Sequence, residues 1–380
     1  MKKFIKNHVL FIVLCSVLLS VIIFLVVTLC LKNNKDIAEA WTRGFARYFL
    51  FISGIMYEFV GFSMFEFLGV GAIVSAVVLL AWAFSLFGYK QIFAGVNRLL
   101  IVAIAVVSVV ATYNATVGMA YNRKTMPIEK YKGEIKKEEF KDIASYFVND
   151  YNACIDTLGL DKDGEIKMPY STYKLIEKLR KEYAKLDNDY FNKYTPTAKP
   201  LMFSGLFTSV SVVGIYYGPT AEANYNTYST NIELPYYIAH EMAHGKGVMR
   251  EDDAQLLTTY ICINSEDPLI RMSGYYCTID SIINITRQSD NKDDYKEVNK
   301  LFNSNVRTNW NYVYNHWKGK AFLSDLGDKV NDWYLRTFGQ EGGTTSYQDT
   351  KPVVDSNTGK VIKLSNYQNI YFNKYYSNKD

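Results

Sequence analysis

The chain has 380 residues, enough for one large domain or two smaller ones, and a formal net charge of only +4. That balance gives no reason to expect a nucleic-acid partner. Prolines are sparse, and neither a low-complexity tract nor an internal repeat is visible.

The apolar residues are unevenly placed. Val9 to Leu31 runs about 23 residues without a charge, long enough at about 1.5 Å per residue to cross a hydrocarbon core. It is too long for a signal-peptide core and lacks a clear small-residue cleavage site, so a retained anchor is expected. Phe67 to Tyr89 is a second uncharged run, closed by Lys90. Leu99 to Tyr121 is a third, bounded by Arg98, Arg123 and Lys124. Residues 1–125 therefore read as a multi-pass membrane region with transmembrane helices at about 9–31, 67–89 and 99–121. Tyr48 to Phe62 is apolar but contains Glu58. It reads either as an interfacial or re-entrant helix or as an ordinary loop helix. Lys2, Lys3 and Lys6 argue for a cytoplasmic N-terminus, which places the C-terminal part outside. Lys32, Lys35, Arg43 and Arg47 pull the other way.

Residues 126–380 are polar and long enough for a core of their own. Lys137 to Leu158 has helical periodicity, with Phe140, Ile143, Phe147, Tyr151 and Ile155 on one stripe. Ser171 to Leu186 reads as another amphipathic helix. Met202 to Tyr217 is rich in β-branched and aromatic residues and reads as one or two strands, and Tyr225 to Asn231 as a further edge strand. From Pro235 onward the pattern is mostly helical. The fold class expected is multi-pass membrane α-helices followed by a mostly helical α+β domain. Asp161, Asp163 and Gly164 imitate the middle of a calcium loop, but Gly159 and Tyr170 stand at its acidic ends, so a polar turn is expected. Of five cysteines, Cys154, Cys262 and Cys277 lie in the polar part. They read as buried thiols with room for one disulfide.

The chemistry lies in the stretch from Pro235 to Ala254, which contains His240-Glu-Met-Ala-His244. Two histidines four apart project from one face of a helix, a spacing that suits two ligands of a tetrahedral zinc. Glu241 can reach a zinc-activated water without binding the metal, as a general base does. Ile238, Ala239, Met242 and Ala243 are uncharged, as a helix buried under a metal site requires. Pro235 suits the first turn, and Gly245 and Gly247 suit the end. A third ligand is expected from the acidic cluster Glu251, Asp252 and Asp253. The plain alternative is that these carboxylates only favour a helix N-terminus. His316, Tyr275 and Arg271 are candidate polarising groups, with a structural role as the ordinary alternative. Glu222 and Asn224 either face the cleft or belong to a surface hairpin.

Resemblance ranks the ligands. In metzincin peptidases a glycine three residues after the second histidine turns the chain, as Gly247 would here. Arg250 stands where their third histidine would follow and cannot ligate. Glu251-Asp-Asp-Ala254 resembles the ExxA signature of other zinc peptidases, whose glutamate is the third ligand. That implies Glu251, with Asp253 as runner-up and Asp252 after it. Several stretches together resemble the bacterial family called domain of unknown function 3810. They are the membrane runs, Gly214 to Asn226, the HEMAHGKGVMREDDA stretch, Asn331 to Gln340 and Gly342 to Tyr347. The resemblance implies a zincin-like metallopeptidase over 126–380, a Zn2+ cofactor, a peptide or protein substrate and a lipid bilayer as partner. The family has asparagine where this chain has Gln255. The alternatives are a non-catalytic zinc-binding membrane scaffold or sensor, and a cell-envelope amidase.

Overall fold

The computed structural model describes residues 2–356 and 358–379. The chain forms two compact units, one of Met1–Thr125 with Tyr217–Glu222 and the other of Met126–Tyr216 with Ala223–Asp380.

In the first unit, helices Lys2–Leu31, Met64–Gly88 and Ile92–Tyr113 include three segments long and apolar enough to cross a membrane. Much of their apolar surface is bare: Ile12, Ile23, Ile73 and Val77 are all exposed. Such a surface suits lipid, and helices satisfy their own backbone there. Just past the third helix, in the π-helical turn Asn114–Gly118, the buried Asn114 amide donates to Thr28 Oγ1 of the first helix at 2.8 Å. The third helix begins at Ile92, earlier than the expected 99, with Arg98 inside it. The Arg98 guanidinium lies 4.2 Å from the Trp82 ring and donates to the Ala94 carbonyl, which accommodates the charge. Arg47–Glu58 is also helical. Buried Arg123 pairs with Glu39 at 2.9 Å, and Glu39 also takes Arg43 at 2.6 Å.

Of the two readings of Glu222, the structure shows the hairpin residue, but buried rather than on the surface. Its carboxylate accepts the N–H groups of Met64 and Phe65 at 3.1 and 2.8 Å and the Thr220 hydroxyl at 2.8 Å. It therefore caps the positive end of the second apolar helix. The Tyr217 ring sits 4.7 Å from Phe65.

The second unit is built on helix packing. After a 3-10 turn at Lys137–Glu139, the helix Phe140–Leu158 buries the whole expected stripe. Its Phe147 and Tyr151 rings lie 6.0 and 6.1 Å from Tyr275 on helix Pro268–Ile285. Helix Thr172–Ala184 reaches the motif helix (Leu234–Gly245) through Tyr183, whose hydroxyl donates to Ala239 O at 2.6 Å. Helices Glu251–Ile263, Asp294–Lys300, Ser304–Trp317, Ser324–Thr337 and Asn366–Ser377 belong to the same unit.

The sheet is smaller than the sequence suggests. Strands β1 (Ala198–Pro200), β2 (Gly214–Tyr217) and β3 (Glu222–Tyr225) lie in the order β1-β3-β2, so β2 is an edge. β1 runs parallel to β3, with Ala198 opposite Ala223. Met202 to Tyr217 is not all strand, because Ser204–Ser209 forms a short helix. Residues 226–231 are not strand either. Asn226 gathers that turn by donating from Nδ2 to Val212 O and Thr208 Oγ1, each at 2.8 Å, so its backbone leaves the sheet. Asn224 is buried within the hairpin and donates to Ile215 O. Asp161 makes the polar turn, with Oδ1 accepting from the N–H groups of Asp163 and Glu165. All five cysteines are free thiols.

Candidate metal centre

The motif helix is buried almost throughout, and Ile238, Ala239, Met242 and Ala243 have no exposed surface. Two contacts fix its start. Glu233 Oε2 accepts the Thr230 hydroxyl at 2.6 Å, and the Tyr236 N–H donates to Ser273 Oγ at 3.0 Å. Its end is a Schellman turn: Val248 N–H reaches Ala243 O, Gly247 N–H reaches His244 O, and Gly247 takes φ +86°. Gly245 serves a different purpose, since a Cβ there would lie 2.3 Å from Pro196 Cγ.

The Schellman turn also serves the site. It delivers the Val248 carbonyl to His244 Nδ1 at 2.8 Å. A carbonyl can only accept, so Nδ1 carries a proton and Nε2 is the nitrogen turned to the site. Nε2 of His244 lies 3.5 Å from Glu251 Oε2, and Nε2 of His240 lies 3.1 Å from the same oxygen. All three side chains are buried. The His240 ring stands edge-on to His244, with 4.8 Å between centroids. Its buried Nδ1 has no hydrogen-bond partner among the described residues, so the bond from Nε2 to Glu251 is the one that orients this ring.

Glu251 opens the next helix, where Arg250 supplies no side-chain cap. The missing acceptor comes from far along the chain, as buried Gln340 Oε1 takes the Glu251 N–H at 3.2 Å. The two other acids are turned toward Arg250, Asp252 at 2.6 Å and Asp253 at 3.5 Å. Gln255 accepts the Tyr236 hydroxyl at 2.7 Å and so braces the motif helix.

Glu241 is buried beside this group, in space that Gly214 of β2 leaves open. A Cβ at Gly214 would lie 2.5 Å from Glu241 Oε1 and 2.7 Å from its Cγ. Burial pushes the Glu241 carboxyl up to about 8, and the charge of Glu251 adds to this. Burial also raises Glu251, but His244 and hydrogen bonds from both imidazoles outweigh it and hold that carboxyl at about 2. Burial lowers His244, yet Glu251 overrides it and lifts the imidazole to about 9. His240 is lowered, chiefly by burial.

Tyr347 completes the surroundings, its ring 6.3 Å from that of His240. Burial and the charges of Glu251 and Glu241 hold its phenol well above the usual range, so it stays protonated.

Of the polarising groups expected from sequence, none joins this cluster. His316 Nε2 faces the Tyr228 carbonyl at 2.7 Å and Lys320 at 3.0 Å. Arg271 and Tyr275 both bond Asp150, at 2.9 and 2.6 Å. All three tie elements together.

Two nitrogens and a carboxylate oxygen fit zinc. Bonds of about 2.0–2.2 Å at tetrahedral angles separate neighbouring donors by about 3.3–3.6 Å, close to the 3.1 and 3.5 Å found. Among the described residues His240, His244 and Glu251 are the group of His, Cys, Asp or Glu side chains close enough together to hold a metal ion.

A sequence pattern described as a protein of unknown function (DUF3810) matches residues 41–351, well over half of the chain. The chain belongs to the DUF3810 family. No curated protein and no solved structure matches it. For this DUF3810 member the reading of function therefore rests on the site. Gly214, Gln340 and Tyr347 were not singled out by sequence reasoning. The only signal for them was their position in stretches that resemble the family.

Proposed function

We propose that this DUF3810 protein is a membrane-anchored, zincin-like, zinc-dependent peptidase whose 126–380 part works outside the cytoplasm. The observation that carries the reading is the convergence of His240 Nε2, His244 Nε2 and Glu251 Oε2, with Glu241 buried alongside. His240, His244 and Glu251 would hold the zinc, which when bound supplies Lewis acidity to a peptide carbonyl and to water. Glu241 takes a proton from the attacking water as the new C–O bond forms. It then passes that proton to the amine nitrogen as the C–N bond breaks. The Val248 carbonyl keeps His244 Nε2 aimed, and Gln340 keeps the first turn of the Glu251 helix in place. The edge strand β2 offers its backbone to an extended peptide.

Full-length protein purified in detergent without added metal should contain about one zinc per chain. It should cleave members of a mixed peptide library read by mass spectrometry. A chelator should stop cleavage and zinc should restore it, and intact cells should cleave added peptide without lysis. No zinc uptake on reconstitution, or cleavage indifferent to chelation, would overturn the reading. Cleavage only after lysis would reverse the orientation.

Gly214→Ala tests the seat of Glu241. The added methyl overlaps that carboxylate, so the base must move while both imidazoles stay. Expected is a loss of up to about 10²-fold in kcat/KM, since about 1 Å of misplacement can cost that much. Zinc content and unfolding temperature should hardly change. Unaltered turnover would show that Glu241 has freedom to spare.

A further inference from the structure

The proposed reaction leaves one charge unattended. As water adds to the scissile carbonyl, negative charge grows on the carbonyl oxygen, and a fixed hydrogen-bond donor there lowers the barrier. Glu241 cannot serve, since it must accept a proton. His316, Arg271 and Tyr275 are engaged elsewhere.

Three tyrosines stand near the site, and their surroundings separate them. Tyr183 feels the charge of Glu241, but its hydroxyl is spent on Ala239 O at 2.6 Å. The Tyr216 ring lies 6.0 Å from His244, and it stands on edge strand β2, the strand offered to the peptide backbone. Tyr347 lies 6.3 Å from His240, ring to ring, and the charges of Glu241 and Glu251 both reach its phenol. Asn331 Nδ2 donates to Tyr347 Oη at 3.4 Å. Among the described residues no acceptor takes the phenol's own proton.

The turn under Tyr347 is closely packed on a helix. It ends the 3-10 turn Gly343–Tyr347. Asp332, on the same helix as Asn331, accepts the Thr344 N–H at 3.2 Å. Gly343 takes φ +54°, and a Cβ there would fall 1.8 Å from Asp332 Oδ1, so only glycine lets the turn sit so close. The stretch between this helix and the turn carries Gln340, which holds the Glu251 N–H. One structural unit thus positions a ligand-bearing helix and a phenol together, which is what a donor fixed in advance requires.

We infer that Tyr347 is a catalytic residue whose phenol donates a hydrogen bond to the carbonyl oxygen of the scissile peptide bond as that oxygen becomes negative. The inference rests on the peptidase reading. Tyr347→Phe in the full-length protein keeps the ring and removes the donor. Expected is a fall in kcat of about 10²–10³-fold, the usual cost of one such donor. KM for the same peptide should move less than about threefold, because the hydrogen bond strengthens only as charge develops. Zinc content and unfolding temperature should match the unmodified protein. Binding of a phosphinic peptide, a tetrahedral mimic, should weaken in step with kcat/KM, giving a readout that needs no turnover. Full kcat in Tyr347→Phe, beside a cleaving unmodified protein, would overturn this inference alone. So would loss of zinc or earlier unfolding, which would mark Tyr347 as structural support. An unmodified protein that neither binds zinc nor cleaves would overturn the peptidase reading, and this inference with it.

Discussion

Glu241→Gln should leave zinc in place and lower turnover by at least about 10²–10⁴-fold, the range for general acid–base catalysis. The amide has the shape of the carboxylate but cannot accept the proton of the attacking water. The substitution is clean for a structural reason. Glu241 is buried, yet it makes no hydrogen bond to any described residue, so the amide breaks none. Burial already penalises the charged form of this side chain, pushing its carboxyl up to about 8. A neutral replacement in the metal-free protein should therefore unfold no earlier than the original. Zinc content, unfolding temperature and peptide cleavage on one preparation check all three points. Cleavage equal to that of the unmodified protein would mean that the proton goes elsewhere and that the mechanism is wrong.

What could be read from the sequence was local. Spacing alone puts His240 and His244 on one face of a helix, and Gly247 marks the turn because a positive φ favours glycine. Long uncharged runs mark the three apolar helices, though Arg98 concealed the start of the third. A lone charge ends a hydropathy pattern, while in the fold the Trp82 ring takes the guanidinium. The errors share one cause, which is that distant parts of the chain decide the role of a side chain. Glu222 read either as a cleft residue or as part of a surface hairpin. Its carboxylate instead caps a helix that begins at Met64, and no local pattern announces that partner. Met202 to Tyr217 has the composition of a strand, yet the Ser204 hydroxyl folds back on Leu201 O at 2.7 Å and a short helix follows. Gln340 and Tyr347 follow the same rule. Each is an ordinary polar residue until the stretch after helix Ser324–Thr337 brings it to a site whose motif lies about a hundred residues earlier.

Replacing Glu251 by alanine should have the opposite signature to Glu241→Gln, with the metal weakened first and turnover lost as a consequence. Two imidazoles remain in that variant, and two donors hold zinc far less well than three. The drop should exceed the roughly 10–100-fold that loss of a supporting outer partner costs. His240→Ala should behave alike. Asp253→Ala is the control. That carboxylate faces Arg250 at 3.5 Å, on the opposite errand from Glu251, so its removal should leave zinc affinity within a few-fold. The fold should survive Glu251→Ala only in part. The change leaves the His244 imidazole, lifted to about 9 mainly by Glu251, without its counter-charge in a buried place. Zinc titration with a competing chelator, run beside thermal unfolding with and without zinc, separates the two effects. Added zinc should raise the unfolding temperature of the unmodified protein and of Asp253→Ala, and much less that of Glu251→Ala. Should Asp253→Ala lose zinc while Glu251→Ala keeps it, the helix that begins at Glu251 must turn on binding to present a different carboxylate. The base and the two histidines would stand, and the third ligand would be Asp253.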